Sequence, residues 1–365
     1  MNIKFKLAMG IASIIGSFLA VQPAISQDQL KPVRIIVGTS TLNVSYPQLN
    51  LPVALGYWRE EGYDVEVVAL APPAQSITLL IAGQADIGQV NASVAVQSRT
   101  EHNEPVKIAM MNGVIDWSVA VLGDSPYQSL SDLKGKNVGV FGLGSGGVPL
   151  LKSALLAQGI DPEKDVTLIA VGGGAPAAEA LRGGRVDALV FWGTAMAGFE
   201  NAGLNLRYMR GDNWLEYPDF VLTVMEPTLE RDPKMVEAIA RGAAKATLFA
   251  STNPECALKI QWATWPQTKP TGAPNDETAA RWDLNLLNRQ LDTFQKGYEL
   301  GGGELYGKIL PTTIERFQDY LLSTAQITRT LPGGTWLIDS ADYFERVNNF
   351  DRDPIVQAAQ QCKGY

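Results

Sequence analysis

Histidine, cysteine and positive charge are all scarce in this chain. Its 365 residues include one histidine and two cysteines. A zinc site needs several ligands of these two types, and a Ser-His-Asp triad needs a histidine close to its nucleophile. The only candidate, His102, lies in the polar segment Glu101–Glu104, and no nucleophile motif is present elsewhere. We therefore predict that the protein is not an enzyme and uses no metal and no cofactor.

The small number of basic residues also bears on the choice of partner. Lysine and arginine total 30 against 38 acidic residues, which gives a formal net charge of −8. A negatively charged protein repels the phosphate backbone of nucleic acids. Nucleic acid is therefore excluded as a partner, and a small molecule is the expected one.

No hydrophobic run in the chain is long enough to span a bilayer, which takes about 18 residues or more. The longest, Leu7–Val21, follows Lys4 and Lys6 and precedes the small residues Ala24 and Ser26. Positive charge, a short apolar core and small residues in this order are typical of a signal peptide. We predict a signal peptide over residues 1–26, no lipid anchor because no cysteine follows the core, and a soluble protein exported to the periplasm.

Both cysteines, Cys256 and Cys362, lie in the C-terminal third of the chain. In an oxidising compartment an isolated pair of cysteines favours a structural disulfide, with two buried free thiols as the alternative.

Two segments of the chain follow the same pattern. Val33–Val90 and Val138–Trp192 each read as apolar strand, Gly/Ser-rich loop, helix, strand and helix, and they close on the similar runs Ala82–Gly88 and Arg182–Leu189. Alternating strands and helices predict a mostly parallel α/β sheet whose ligand loops follow the carboxyl ends of the strands. We therefore predict two α/β lobes that face each other across a cleft.

The predicted lobes are interleaved along the chain. Residues 27–118 and 223–365 are assigned to lobe 1, and residues 119–222 to lobe 2. The β-branched runs Trp117–Leu122 and Phe220–Val224 lie at the two crossings, and if they are adjacent strands they form a two-stranded hinge. Further helices, among them Asp276–Leu291, are predicted after Asp232 and are expected to pack on lobe 1.

Four segments in order resemble a known family: Leu55–Val67, Gly83–Gly88, Ser129–Val140 and Asp187–Trp192. Over about residues 33 to 250 the chain resembles the nitrate/sulfonate/taurine and thiamine-pyrimidine group of ABC-transporter substrate-binding proteins. The resemblance implies the type II periplasmic-binding-protein fold, closure of the two lobes on a ligand, and delivery to an inner-membrane ABC permease. A monomer is expected.

The ligand-binding positions of that family fall on loops that precede helices. Free backbone N–H groups at such loops favour ligands rich in hydrogen-bond acceptors. The positions that the resemblance implies are Ser45, Tyr46, Gln75, Asn91, Ser145, Gly146, Gly147, Gly173, Gly174 and Trp192. For each polar residue the alternative is capping of its own helix, and for Trp192 it is a place in the core.

The residues at the predicted hinge add two more candidates, Asp116 and Trp117. Asp219 lies at the corresponding point of the second crossing, and the alternative for both aspartates is a solvated strand end. Trp214 and Tyr217 are further aromatic residues that could reach the cleft.

The ligand class follows from the absence of cations. None of the predicted cleft loops contains Arg or Lys, whereas a tightly bound small anion often gains one. An aromatic or heteroaromatic ligand such as a pyrimidine is favoured, with a sulfonate- or nitrate-type anion still open. The run Gly142–Gly147 matches G-x-G-x-x-G, but Val171–Ala175 offers no acidic residue for a ribose, so a nucleotide is not expected.

Two alternative functions remain. A periplasmic ligand sensor for a membrane kinase uses the same two-lobed architecture. An enzyme of thiamine-pyrimidine synthesis shares the fold, but those synthases use a characteristic His and Cys cluster that has no counterpart in this sequence.

Overall fold

The computed structural model describes residues 30–363 except 40, 71–73 and 212–213. The predicted signal peptide, residues 1–26, lies outside the described residues. Within the described part of the chain, no helix combines the length and the apolar character that crossing a bilayer requires.

The first sheet has five strands in the order β2-β1-β3-β10-β4. The strands are β1 (Lys31–Val37), β2 (Tyr63–Ala69), β3 (Ile87–Asn91), β4 (Val106–Met111) and β10 (Phe220–Met225). Strand β1 pairs in parallel with β2 and β3, and β10 is antiparallel to β3 and β4.

The second sheet repeats this topology in the order β7-β6-β8-β5-β9. Its strands are β5 (Ser118–Leu122), β6 (Lys136–Val140), β7 (Val166–Ala170), β8 (Ala188–Phe191) and β9 (Leu206–Met209). Strand β6 is parallel to β7 and β8, and β5 is antiparallel to β8 and β9. The shared topology confirms the α/β class and the repeated pattern of the sequence.

Helices cover both sheets. Those of the first repeat are α1 (Pro47–Ala54), α2 (Tyr57–Glu60), α3 (Ala74–Ile81) and α4 (Ala92–His102), and those of the second are α5 (Gly147–Ala157), α6 (Ala175–Arg182) and α7 (Gly193–Asn201). The C-terminal helices are α8 (Glu226–Arg231), α9 (Pro233–Thr252), α10 (Pro254–Thr264), α11 (Asp276–Leu300), α12 (Pro311–Ser323), α13 (Tyr343–Val347) and α14 (Arg352–Gln361).

The long helix α9 shows how the sequence specifies these elements. Asp232 caps it by accepting a hydrogen bond from the Met235 N–H at 3.0 Å, and Pro233 occupies its first turn. Its apolar stripe is buried against the first sheet. Gly242 lets the Trp58 indole lie flat on the helix, because a Cβ there would come within 2.2 Å of the indole nitrogen.

The two crossings between the sheets pair with each other, but not through the predicted strands. Strands β5 and β10 belong to different sheets, so the expectation that they form the hinge is wrong. Instead, the segments that precede them run antiparallel, with a bridge between Val114 and Pro218. The Asp219 N–H donates to the Gly113 oxygen at 3.1 Å. The hinge is therefore made of the connecting segments, and each strand beyond it joins the sheet of its own lobe.

The C-terminal helices do not all pack on the first lobe. Helices α9, α10 and α14 pack together beside α1, as expected, but α11 contacts both α10 and the second-lobe helix α7. Asn201 on α7 donates to the Trp282 carbonyl at 3.0 Å, and Arg289 on α11 pairs with Glu200 at 3.2 Å. The predicted helix was also too short, since α11 continues to Leu300.

Cys256 and Cys362 form a disulfide across 106 residues of sequence. The prediction of a bridge is confirmed. It joins α10 to the end of α14, so it fixes the C-terminal helix to the helical layer of the first lobe.

Candidate functional site

A cavity of about 890 Å³ lies between the two lobes. Its walls come from the loops that follow strands of both sheets and from the first turns of the helices after them. The described lining residues include the aromatic side chains Tyr46, Trp117, Phe141, Trp192, Phe199 and Phe220. Polar side chains from Thr39, Asn43, Ser45, Gln89, Asn91, Ser93, Gln97, Ser145, Thr194 and Gln326 complete much of the surface.

Most of the residues predicted from the sequence meet at this cavity. Those that line it are Ser45, Tyr46, Asn91, Trp117, Ser145, Gly146, Gly173, Gly174 and Trp192. Their contact with a ligand stays a prediction, but the fold brings them together from opposite lobes.

Three predicted residues do not line the cavity. Gln75 is exposed in the first turn of α3. Gly147 lies behind the wall, where the Trp117 ring would come within 2.3 Å of any added Cβ. The Asp116 carboxylate accepts a hydrogen bond from the Gly193 N–H at 2.9 Å and so holds the start of α7. Gln75 therefore faces solvent, Gly147 is packed against Trp117, and Asp116 is bonded to the first residue of α7.

Two aromatic residues proposed for the cleft lie elsewhere. Trp214 is 2% exposed and belongs to the core, and the Tyr217 ring stacks on Tyr320 with centroids 4.9 Å apart. The cavity instead gains Phe141, Phe199 and Phe220, which were not predicted from the sequence.

Trp192 is the centre of the aromatic wall. Its ring meets Trp117 edge-on at a centroid distance of 5.4 Å and Phe141 at 5.7 Å. Edge-to-face contacts of this kind fix ring orientation and stabilise by about 0.5 to 1.5 kcal/mol each. Trp192 is half-buried and lines the cavity, so part of its ring is available to a guest.

Asp219 lies beneath the cavity floor and holds two of its residues. Its Oδ1 accepts a hydrogen bond from Asn91 Nδ2 at 2.5 Å, and its Oδ2 accepts one from Trp117 Nε1 at 3.1 Å. Asp219 is 5% exposed, and burial raises its pKa to about 6 in spite of these two donors. The alternative of a solvated strand end is wrong for this residue.

The charge of Asp219 is one of the two causes that raise the pKa of Asp116. Burial, and then the charge of Asp219, raise the pKa of Asp116 to about 7, while the Gly193 N–H and Arg210 act in the opposite direction. Arg210 is held beside the hinge by Ser118, whose hydroxyl accepts from Nε at 2.9 Å. Two carboxylates with raised pKa values thus lie at the hinge, behind the wall of the cavity.

Two serines offer unpaired hydroxyls on opposite sides of the cavity. Ser45 on the first lobe is 3% exposed, and neither its Oγ nor that of Ser145 on the second lobe has a hydrogen-bond partner among the described residues. A buried hydroxyl without a partner is costly, at about 1 to 3 kcal/mol. Both serines belong to the cavity lining, one from each lobe.

The described cavity lining contains no charged side chain. Across the part of the chain that the structure describes, no group of three or more His, Cys, Asp or Glu residues is arranged to hold a metal ion. His102 is exposed at the last residue of α4. The described lining is therefore uncharged, and the carboxylates of Asp116 and Asp219 lie behind it.

Several cavity residues carried no recognisable signal in the sequence. Leu286 comes from α11, and Gln326 follows α12, far along the chain from both repeats. Gln97 lies more than one turn into α4, beyond the loop position Asn91 that was predicted from the sequence. Only the tertiary packing of the C-terminal helices brings the first two to the cleft.

Residues 51–257 match the family model described as NMT1/THI5 like. The chain belongs to this family. One relative of this NMT1/THI5-like protein is the formylaminopyrimidine-binding protein of Halalkalibacterium halodurans, 27% identical over 222 residues. The match covers 60% of this chain and 66% of the relative, just under two thirds of its length.

Solved structures show the fold of the NMT1/THI5-like chain. The periplasmic aliphatic sulphonate binding protein SsuA of Escherichia coli superposes with a TM-score of 0.62 at 17% identity, covering 85% of this chain and 93% of SsuA. The desulfurization enzyme DszB superposes with a TM-score of 0.56 at 15% identity, and the match covers 87% of this chain and 99% of DszB. The predicted periplasmic-binding-protein fold is confirmed, and the same fold carries catalysis in DszB.

Proposed function

We propose that the protein is the periplasmic solute-binding component of an ABC importer and that its ligand is an uncharged heteroaromatic molecule such as a pyrimidine. The observation that carries this proposal is the cavity between the lobes, which is rich in aromatic rings and has no charged residue in its described lining. Aromatic walls with a few placed polar groups are typical of sites that bind flat organic molecules.

The absence of cations argues against a sulfonate or nitrate ligand. An anion that enters this cavity would lose its hydration without gaining a lysine or arginine, and desolvation of an unpaired charge is strongly unfavourable. The half-buried carboxylate of Asp116 and the buried carboxylate of Asp219 lie behind the wall and would add repulsion. The name of the Halalkalibacterium halodurans relative supports a pyrimidine for this chain as well.

Transport follows from closure rather than from chemistry. A ligand that contacts both lobes, through Ser45 on one side and Ser145 on the other, favours the closed form by the difference in its affinity for the two forms. An inner-membrane permease that recognises the closed form then receives loaded protein in preference to empty protein.

Catalysis is the competing hypothesis, because DszB shares the fold. The described cavity lining holds no carboxylate, histidine, cysteine or amine that could act as a general base or a nucleophile. Incubation of the protein with any ligand found, followed by chromatography, should return that ligand unchanged.

A thermal-shift screen tests the ligand class. Protein lacking residues 1–26 is refolded to remove carried-over ligand and is then screened against neutral pyrimidines, aromatic acids, alkanesulfonates and nitrate. A ligand at 100 times its dissociation constant stabilises the folded state by about 2.7 kcal/mol. Neutral pyrimidines should raise the melting temperature. A shift with a sulfonate or nitrate and none with any neutral heteroaromatic compound would overturn the proposal.

A matched pair of serine variants locates the binding event. Ser45→Ala should weaken binding of the best compound, because Ser45 lines the cavity and its hydroxyl has no partner among the described residues. Ser76 also has a fully buried hydroxyl without a partner among the described residues, but it does not line the cavity. Ser76→Ala should therefore leave the dissociation constant unchanged.

A further inference from the structure

We propose that Asp219 is a positioning residue that sets the hydrogen-bond polarity of the cavity, so that the site selects ligands which donate a hydrogen bond to Asn91. This inference rests on the proposed function, since it specifies what kind of heteroaromatic molecule the pocket accepts. It concerns a residue that does not itself line the large cavity.

The first step is the orientation of the Asn91 amide. An ionised carboxylate can only accept hydrogen bonds, so the Asn91 atom that meets Asp219 Oδ1 at 2.5 Å is the amide nitrogen. The other carboxylate oxygen is engaged by the donor-only indole of Trp117 at 3.1 Å. One of the two N–H groups of that nitrogen is committed to Asp219, so the amide is held in one orientation and its carbonyl oxygen keeps one position.

The second step is the rigidity of this arrangement. The Asp219 backbone N–H donates to Gly113 at 3.1 Å, and its carbonyl accepts from the Ala92 N–H at 2.5 Å. Asp219 is thus tied both to the other hinge segment and to the first residue of α4, directly after Asn91. Because the backbone is fixed, the Asp219 side chain cannot turn away without breaking both of the hydrogen bonds that it accepts.

The third step is the effect on the ligand. Asn91 and Trp117 both line the cavity, and each has a donor that Asp219 occupies. With the amide held in this orientation, the Asn91 carbonyl is available to a guest as a fixed acceptor, beside the aromatic surface of Trp117. A flat molecule with an amino or ring N–H group satisfies the acceptor, whereas an analogue with an ether oxygen at that position places two acceptors against each other.

Two probes that differ at one substituent test this selection. Dissociation constants of 4-amino-2-methylpyrimidine and 4-methoxy-2-methylpyrimidine are measured by calorimetry. The wild type should prefer the amino compound by about 10-fold or more, the effect of one buried hydrogen bond. In Asp219→Asn the new amide can donate, which allows Asn91 to turn over, and the preference should fall to about 1 or invert.

The ratio of the two constants separates positioning from stability. A general loss of folded protein weakens both probes by the same factor and leaves their ratio unchanged. Asp283→Asn is the matched control, because Asp283 is also a buried carboxylate that accepts an indole N–H, from Trp262 at 2.8 Å, but it does not line the cavity. Its ratio should equal that of the wild type.

A second variant and a ligand-free measurement keep the inference testable in every case. Asn91→Ala should also abolish the preference for the amino compound. This variant replaces Asp219→Asn in the test if Asp219→Asn does not fold. If neither probe binds the wild type, the proposed pyrimidine class fails. The Asn91 side-chain amide resonance, recorded by NMR, then decides the positioning role. A resonance that is the same in wild type and Asp219→Asn, or an unchanged probe ratio, overturns it.

Discussion

Acidification from pH 8 to pH 5 should stabilise the protein, because carboxylates with raised pKa values are buried at its hinge. The folded state holds a proton on Asp219 up to about pH 6 and on Asp116 up to about pH 7, whereas the unfolded chain releases both near pH 3.8. Between these limits the folded protein binds more protons than the unfolded chain. Its free energy of unfolding therefore falls as the pH rises.

The magnitude follows from the pKa values. Between pH 8 and pH 5, a shift from 3.8 to about 6 contributes about 1 kcal/mol for Asp219, and a shift to about 7 contributes about 3 kcal/mol for Asp116. Together the two groups contribute up to about 4 kcal/mol. Asp283, whose pKa burial raises to about 6, adds in the same direction.

Stability should reach its maximum near pH 4 to 5. Below that range the trend reverses, because the hydrogen bonds from Arg346 and Ser340 lower the pKa of Asp342 to about 2. A group with a lowered pKa contributes stability above pH 3.8 and loses it as the pH falls through its folded-state value. The free energy of unfolding should therefore fall on both sides of this pH range.

Urea denaturation at pH 5, 6, 7 and 8 measures the effect. The wild-type free energy of unfolding should rise steadily from pH 8 to pH 5 at constant m-value, and Asp219→Asn should show a shallower slope. The chain has a single histidine, the residue type that otherwise dominates titration in this window. A flat or opposite slope in the wild type would refute the assignment of buried carboxylates at the hinge.

Three further predictions test other parts of the structure. Trp192→Ala should weaken binding of the best pyrimidine by about 1 to 3 kcal/mol in calorimetry, and an unchanged constant would assign the ring to the core. Replacing Cys256 and Cys362 by Ser should lower the free energy of unfolding by up to about 5 kcal/mol for this 106-residue separation, and an unchanged urea midpoint would contradict that. Arg289→Ala removes an ion pair between α11 and α7 that is worth up to about 1 kcal/mol. The radius of gyration of the ligand-free protein, measured by X-ray scattering, should therefore increase. An identical scattering curve would show that the ion pair does not restrain the lobes.

The repeated pattern was accessible from sequence because it is local. A strand followed by a Gly/Ser-rich loop and a helix places Asn91 and Ser145 at the carboxyl ends of parallel strands, and the topology of such sheets brings these ends to one edge. The disulfide was equally accessible, because two cysteines allow only one intramolecular pairing. These inferences needed no knowledge of how distant elements pack.

The rest depended on tertiary packing. The β-branched runs at Ser118 and Phe220 indicate strands but do not say which strand each one pairs with, so the hinge was assigned to the wrong segments. An amphipathic pattern in α11 predicts a buried face, yet it cannot show that the helix contacts two lobes. The burial of Asp116 and Asp219 is likewise invisible in a sequence, where an aspartate beside a strand end reads equally well as solvated.

The position of α11 restricts how the protein can open. This helix of 25 residues, about 38 Å long, is packed on α9 and α10 at one side and on α7 at the other. Rotation of the lobes about the paired connecting segments would have to slide α7 along α11, because a pure hinge motion would expose the buried side chains between them. The movement should therefore be a shear with a small angular range.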